Sequence, residues 1–252
     1  MNIEWNAQGY SERFSFVHEY GESVMDLLTA KPGSRVIDLG CGNGALTRKL
    51  AERGYDVLGI DASPRMLQVA RANAPELTFE QGDAVRFSLK QPADAIFSNA
   101  VFHWIDAREQ DALAENLARN LVPGGELVCE FGGHGNGEKV HAALERCFEE
   151  RGLRYPRTFY FPTVGEHAPL LEKHGLRVEM AMLFDRPTPQ KSPDGLTDWI
   201  NMFILKPFEG MDAGLKADIL REVNERLRGT LCRDGVWILD YVRLRIRARK
   251  LA

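Results

Sequence analysis

The stretch Val36-Ile37-Asp38-Leu39-Gly40-Cys41-Gly42-Asn43-Gly44 constrains this chain more than any other. Branched aliphatic side chains suit a buried strand. Three glycines at alternate positions then let the backbone turn and approach a ligand closely. Ala45-Leu46-Thr47-Arg48-Lys49-Leu50 continues with helical spacing. A strand, a glycine turn and a helix in that order make a nucleotide-type cofactor site.

The surrounding pattern repeats this alternation. Strands are expected at 35–39, 56–60, 77–83, 93–99 and 126–131, the last entered through a turn at Pro123-Gly124-Gly125. Between them, Ser63 is a good N-cap before Pro64, Met66, Leu67, Val69 and Ala70 give one apolar face, and 107–120 reads as a helix. Strands alternating with helices imply an α/β fold with a doubly wound, mostly parallel sheet. Beyond residue 135 the rhythm changes. Helices are expected at about 136–150 and 166–174, and over 196–230 with a break near Pro207. A strand is expected at 176–184 and loop at 187–193. Arg154–Pro162 is too proline-broken for regular structure. In the last segment Val242, Leu244, Ile246 and Ala248 alternate with Arg243, Arg245, Arg247 and Arg249, a strand with a solvated arginine face.

The whole is expected to be one domain over 1–252: an N-terminal helical lid (1–30), a cofactor-binding core (31–135), strand and helical cap insertions (136–235) and a C-terminal strand (236–252). The chain's 252 residues suffice for a large core. A formal charge of −4 gives no electrostatic reason to expect nucleic acid. No apolar run of about 18 residues predicts a membrane span. Met1–Trp5 lacks the basic and apolar regions of a secretory leader. Cys41, Cys129, Cys147 and Cys232 are widely spaced, so reduced thiols in a cytoplasm are expected, with no metal site. A monomer or homodimer is expected.

Two cofactors compete on spacing. Gly40–Ala45 satisfies a relaxed dinucleotide fingerprint, and Asp61 lies about where its ribose acid belongs. That leaves a nicotinamide-dependent oxidoreductase open. Asp38 inside the strand, a third glycine at Gly44 and a second acid at Asp83 favour S-adenosylmethionine, whose spent form is S-adenosylhomocysteine.

Asp38–Gly44, Asp61, Gly82-Asp83-Ala84, Ser98-Asn99-Ala100 with His103-Trp104, and Leu121-Val122-Pro123-Gly124-Gly125 together resemble the ordered motifs of class I S-adenosylmethionine-dependent methyltransferases. His103-Trp104, with Trp5 and Tyr10, is most similar to the trans-aconitate methyltransferase subgroup. The resemblance implies a Rossmann-like sheet of seven strands, with an antiparallel C-terminal pair and a helical cap. It also implies site roles. Gly40, Cys41, Gly42, Asn43 and Gly44 would pass under the methionine part, their N–H groups facing its carboxylate. Asp38 would orient the loop or the amino group, and Asp61 would accept the ribose hydroxyls. Asp83 and Ala84 would read the adenine edge, and Ala62 and Met66 would pack on its ring. Asn99 and Ala100 would line the methyl channel.

Methyl transfer from a sulfonium is an in-line displacement in which the protein aligns the nucleophile and excludes water. A carboxylate needs no base, whereas a hydroxyl or amine must lose a proton. His103 is the candidate catalytic residue, as base, donor or structural group beside Trp104. Trp5, Tyr10, Phe14 and Phe16 could cover the sulfonium with aromatic faces. Arg154, Tyr155 and Arg157 suit a substrate carboxylate, and Glu130 ends a strand at the expected crevice. The expected activity is methylation of a carboxylate or hydroxyl of a small molecule; a non-catalytic cofactor-binding module is the further alternative.

Overall fold

Runs rich in valine, isoleucine and phenylalanine lie side by side as strands, and amphipathic helices cover them. The computed structural model describes residues 16–252. In chain order the elements are α1 (Phe16–Met25), β1 (Arg35–Leu39), α2 (Ala45–Glu52), β2 (Asp56–Asp61), α3 (Pro64–Asn73), β3 (Thr78–Gln81), β4 (Ala93–Asn99), α4 (Gln110–Arg119) and β5 (Leu121–Gly132). Then follow α5 (Glu138–Glu149), α6 (Val164–Lys173), β6 (Leu176–Pro189), α7 (Gly195–Phe203), α8 (Ala213–Leu231), β7 (Cys232–Arg233) and β8 (Val236–Lys250). Short 3-10 turns occupy Phe102–Trp104, Ala107–Glu109 and Lys206–Phe208.

The strand order is β3-β2-β1-β4-β5-β8-β6, with β7 beside β8. β1 pairs in parallel with β2 and β4, β2 with β3, and β4 with β5, while β8 runs antiparallel to β5. The two-residue β7 brings the count to eight, against the seven expected.

Two compact units are distinguished. The first holds residues up to His134, Tyr160–Leu183 and Arg243–Ala252; the second holds Gly135–Phe159 and Phe184–Val242. In the first, alternation sends Ile37, Leu39, Ile96, Leu127, Phe131 and Ile246 into one core layer with Leu113, Leu117 and Leu171. Val36, Val57, Ala95, Phe97 and Val128 face the other way, onto Val24 and Met25 of α1 and Leu46 and Leu50 of α2. Full burial of each such side chain contributes roughly 1.5–3 kcal/mol. In the second unit α5 buries Val140, Leu144 and Phe148, α8 buries Ile219, Val223 and Leu227, and the two helices pack together. Among the described residues no helix is long and apolar enough to cross a membrane.

Three local expectations change. β5 starts at Leu121 rather than at residue 126: Ala93 pairs with Leu121 and Ala95 with Glu126, so Pro123-Gly124-Gly125 is a bulge in the strand. β6 continues through Pro187 to Pro189, where a loop was expected. The arginine face of β8 is covered rather than solvated. Arg245 pairs with Glu130 at 2.7 Å, Arg247 with Glu179 at 3.3 Å, and Arg249 with Glu179 at 3.2 Å. Arg243 is itself buried. The cause lies in pairing: β5 sets the buried Glu126 and Glu130 directly opposite Arg249 and Arg245.

Candidate active site

The glycine turn crosses from the end of β1 to α2. Gly40 and Gly44 adopt φ of 77° and 79°, which glycine alone tolerates readily. A Cβ at Gly40 would lie 2.2 Å from Cγ2 of Val101, so the loop after β4 rests on this glycine. The N–H groups of Gly40 and Cys41 donate to the Ile60 carbonyl at 2.7 and 3.1 Å, and that of Gly44 to Cys41 at 3.0 Å. The Gly42 N–H donates to Asp61 Oδ2 at 2.9 Å. These four N–H groups thus hold the turn itself in shape. The N–H groups of Gly40, Cys41, Gly42 and Gly44 are therefore engaged within the chain, whereas the resemblance implies that they face a ligand carboxylate. Asn43 is buried and caps the turn through Oδ1, which accepts the Ala45 N–H at 3.2 Å. Burial, with the charges of Asp38 and Asp61, pushes the Cys41 thiol far up, so it is inert filling.

Two acids flank the turn. Asp38 is 2% exposed, and its Oδ2 accepts the Thr47 hydroxyl at 2.6 Å. Burial raises its carboxyl to about 7; the Thr47 bond opposes that rise and the Asp61 charge adds to it. Asp61 closes β2, and its Oδ1 accepts the Ser63 N–H at 2.8 Å. Burial raises this carboxyl too, against the two backbone bonds. Ala62 is half-buried and Met66 buried, and the Met66 methyl would lie 3.3 Å from a Cβ at Gly42. Beyond β3, the exposed Asp83 accepts the Val85 N–H at 2.8 Å, and Ala84 packs half-buried on the core.

The end of β4 is pinned. The Ser98 hydroxyl donates to the Leu39 carbonyl at 2.7 Å, tying β4 to β1. Asn99 lies opposite Glu130 in the β4–β5 register. Ala100 adopts φ of 62°, a strained value for alanine. Its N–H donates to the Glu130 carbonyl at 2.7 Å, and its carbonyl accepts the Trp104 indole N–H at 3.1 Å. His103 is buried, and its Nδ1 accepts the Gly132 N–H at 3.1 Å. A backbone N–H only donates, so Nδ1 is unprotonated and Nε2 carries the hydrogen. Burial, and secondarily the Arg243 charge, holds the imidazole well below its usual range, so it is neutral.

A methyltransferase-domain family model matches residues 36–125. A trans-aconitate 2-methyltransferase of Rhizobium etli is 31% identical over 267 residues, covering 98% of this chain and all of that one. An uncharacterized methyltransferase of Schizosaccharomyces pombe is 29% identical, covering 98% of each chain. The chain belongs to the class I S-adenosylmethionine-dependent methyltransferases. In fold it is similar to an S-adenosylmethionine-dependent methyltransferase from Mesorhizobium loti, with a TM-score of 0.56 and 22% identity over 92% of this chain and 98% of that one.

The residues present fit the family's methyl donor. Each Asp61 oxygen already takes one backbone N–H, and a carboxylate has about four acceptor sites in all. One site per oxygen therefore remains for a hydroxyl. A Cβ at Gly42 would lie 3.3 Å from the Met66 methyl, so glycine at this position leaves the turn's backbone open to close approach beside that methyl.

The expected substrate residues are placed differently. Trp5, Tyr10 and Phe14 lie outside the described residues; Phe16 begins α1. Trp104 is buried and braces Ala100. Glu130 is 2% exposed and held by Arg245, an ion pair inside the sheet rather than an open carboxylate. Arg154, Tyr155 and Arg157 lie in the second unit. The Arg157 guanidinium is paired with Glu138 at 2.6 Å and Glu145 at 2.8 Å, and the buried Tyr155 hydroxyl meets His141 Nδ1 at 2.7 Å. Those pairings remove the basis for giving Arg157 and Tyr155 a substrate carboxylate. Thr47, Val101 and Arg243 were not singled out from sequence. Thr47 had a signal: a hydroxyl facing inward on the helix that follows the turn.

Proposed function

We propose that the protein methylates a carboxylate of a small molecule, with a hydroxyl as the second reading. The observation that carries this is the state of His103. Its lone pair is taken by the Gly132 N–H and its other nitrogen carries a proton. It therefore donates a hydrogen bond and does not act as a base. A carboxylate nucleophile matches that arrangement, because it reacts without losing a proton. Relatives named trans-aconitate 2-methyltransferase, such as the one from Rhizobium etli, support an acidic acceptor.

When bound, the cofactor supplies an electrophilic methyl group on a positively charged sulfur. In this proposal Asp61 accepts both ribose hydroxyls, Asp83 and Ala84 hold the adenine edge, and Ala62 and Met66 pack on its faces. The Gly40–Gly44 turn lies under the methionine part, and Asp38 accepts from its amino group. Asn99 and Ala100 line the path of the methyl group, with the Ala100 peptide fixed from both ends. His103 orients the acceptor through Nε2–H. Thr47 keeps Asp38 in one rotamer.

The test is transfer of labelled methyl to trans-aconitate, citrate and matched alcohols. A methyl ester releases its label as volatile methanol in mild base. Base-labile product from the acids supports the carboxylate reading; only base-stable product from the alcohols supports the hydroxyl; no product from any of them rejects both.

A further inference from the structure

The four arginines of β8 share one face of the sheet with Glu126 and Glu130. Arg245 and Arg249 meet those two acids. Arg243, at the beginning of this row, is the buried one of the four, 8% exposed. It stands opposite Gly132, the last residue of β5. Directly opposite residues of an antiparallel pair point to the same face, and Gly132 has no side chain to contest that space. On its other edge Gly132 donates its N–H to His103 at 3.1 Å. A guanidinium and an imidazole thus flank one glycine at the carboxyl end of a parallel strand, where ligands of open α/β sheets bind.

We propose that Arg243 and His103 form an anion receptor at the end of β5, which holds a carboxylate of the substrate other than the one that is methylated. This rests on the carboxylate reading above and narrows the substrate class to acids with at least two anionic groups. The chemistry of the pair suits the task. Arginine presents a planar fork that binds a carboxylate through two parallel N–H bonds. Its five donors allow it to keep its other contacts in the chain while it does so. His103 adds the Nε2–H as a neutral donor. Arg243 lies near enough to His103 for its charge, second to burial, to disfavour the imidazolium. The reacting carboxylate must stay outside this grip, because a bidentate arginine would draw off the electron density needed for attack.

The test uses the full chain and two substrates, trans-aconitate and a monocarboxylic acid of similar length. In Arg243→Gln the KM for trans-aconitate should rise about tenfold to a hundredfold, the scale of charge-assisted hydrogen bonds. The kcat, the KM for S-adenosylmethionine and the weak KM for the monoacid should change little. Arg243→Lys keeps the charge and loses the fork, so it should fall between. Cofactor titration of each variant reports whether it is folded. Should Arg243→Gln leave the trans-aconitate KM unchanged, or weaken both acids and the cofactor equally, the receptor is overturned while the carboxylate reading stands. Absence of transfer to every acid by the wild-type protein overturns both.

Discussion

The glycine turn after β1 and the segment around Tyr155–Phe159 both carry residue types that bind polar ligands, yet the chain uses them in opposite ways. At the turn, Asp61 is held by backbone N–H groups from Gly42 and Ser63. Backbone donors carry no net charge, so they do not neutralise the carboxylate, and they leave half its acceptor sites. In the second region Arg157 is held by the carboxylates of Glu138 and Glu145, which neutralise it and fill its fork. A charged side chain fixed by the backbone remains available to a ligand, whereas one fixed by opposite charges has become part of the scaffold.

The largest expected effect lies on the first side of this comparison. Asp61→Ala should weaken S-adenosylmethionine binding by about 4 kcal/mol, roughly a thousandfold, for two lost charge-assisted bonds. Titration calorimetry reads this directly, and an affinity within threefold of wild type would break the comparison. Next comes a pH effect that sharpens it through burial. His167 is 1% exposed, and burial pushes its imidazole from 6.5 down to about 4. Its unfolded form takes up a proton below pH 6.5 and its folded form only near 4, so acid destabilises the fold across that window. His167→Phe should therefore lessen the acid loss of stability between pH 6.5 and 4 by about 3 kcal/mol. Denaturant melts at several pH values measure it. Asp38, pushed up to about 7, acts with the opposite sign, since its folded form binds the proton more tightly between pH 3.8 and 7.

A smaller loss is expected for Gly40→Ala, where a Cβ meets Val101 and the backbone is left-handed. About 2 kcal/mol of stability should go, and the melting temperature should rise again if Val101→Ala is added. The smallest effect belongs to the other region. Arg157→Gln should leave methyl transfer within about twofold and cost less than about 1 kcal/mol, since its ion pairs are solvent-facing. A large rise in the acceptor KM for that variant would reverse the comparison.

Much of the first unit was legible in the sequence because its signals are local. A strand of valine and isoleucine, glycines at alternate positions and Ser63-Pro64 at a helix start act within a few residues of themselves. The cap on α3, where Ser63 accepts the Met66 N–H at 3.3 Å, stands where the sequence placed it. The site was less legible wherever a side chain's role depends on a distant partner. In the sequence Arg243 reads as part of a solvated strand face and Arg157 as a binder of a substrate carboxylate. The first is buried on β8, opposite the end of β5; the second meets Glu138 and Glu145 on α5. His103 could be read as base, donor or filler until Gly132, 29 residues away, supplied the N–H that fixed its tautomer.

From the sequence alone follow the α/β architecture and the parallel core, since a strand–turn–helix unit is short-range chemistry; the class of cofactor follows from the resemblance of the ordered motifs, because spacing by itself leaves two cofactors open. The tertiary structure decided which charges are open to a ligand. It turned Glu130 into an ion pair, left Asp61 with acceptor sites, set His103 as a donor and buried Arg243 beside the last residue of β5. The reason is that a charged group's chemistry is set by what neutralises it, and that partner is chosen by the pairing of strands far apart in the chain.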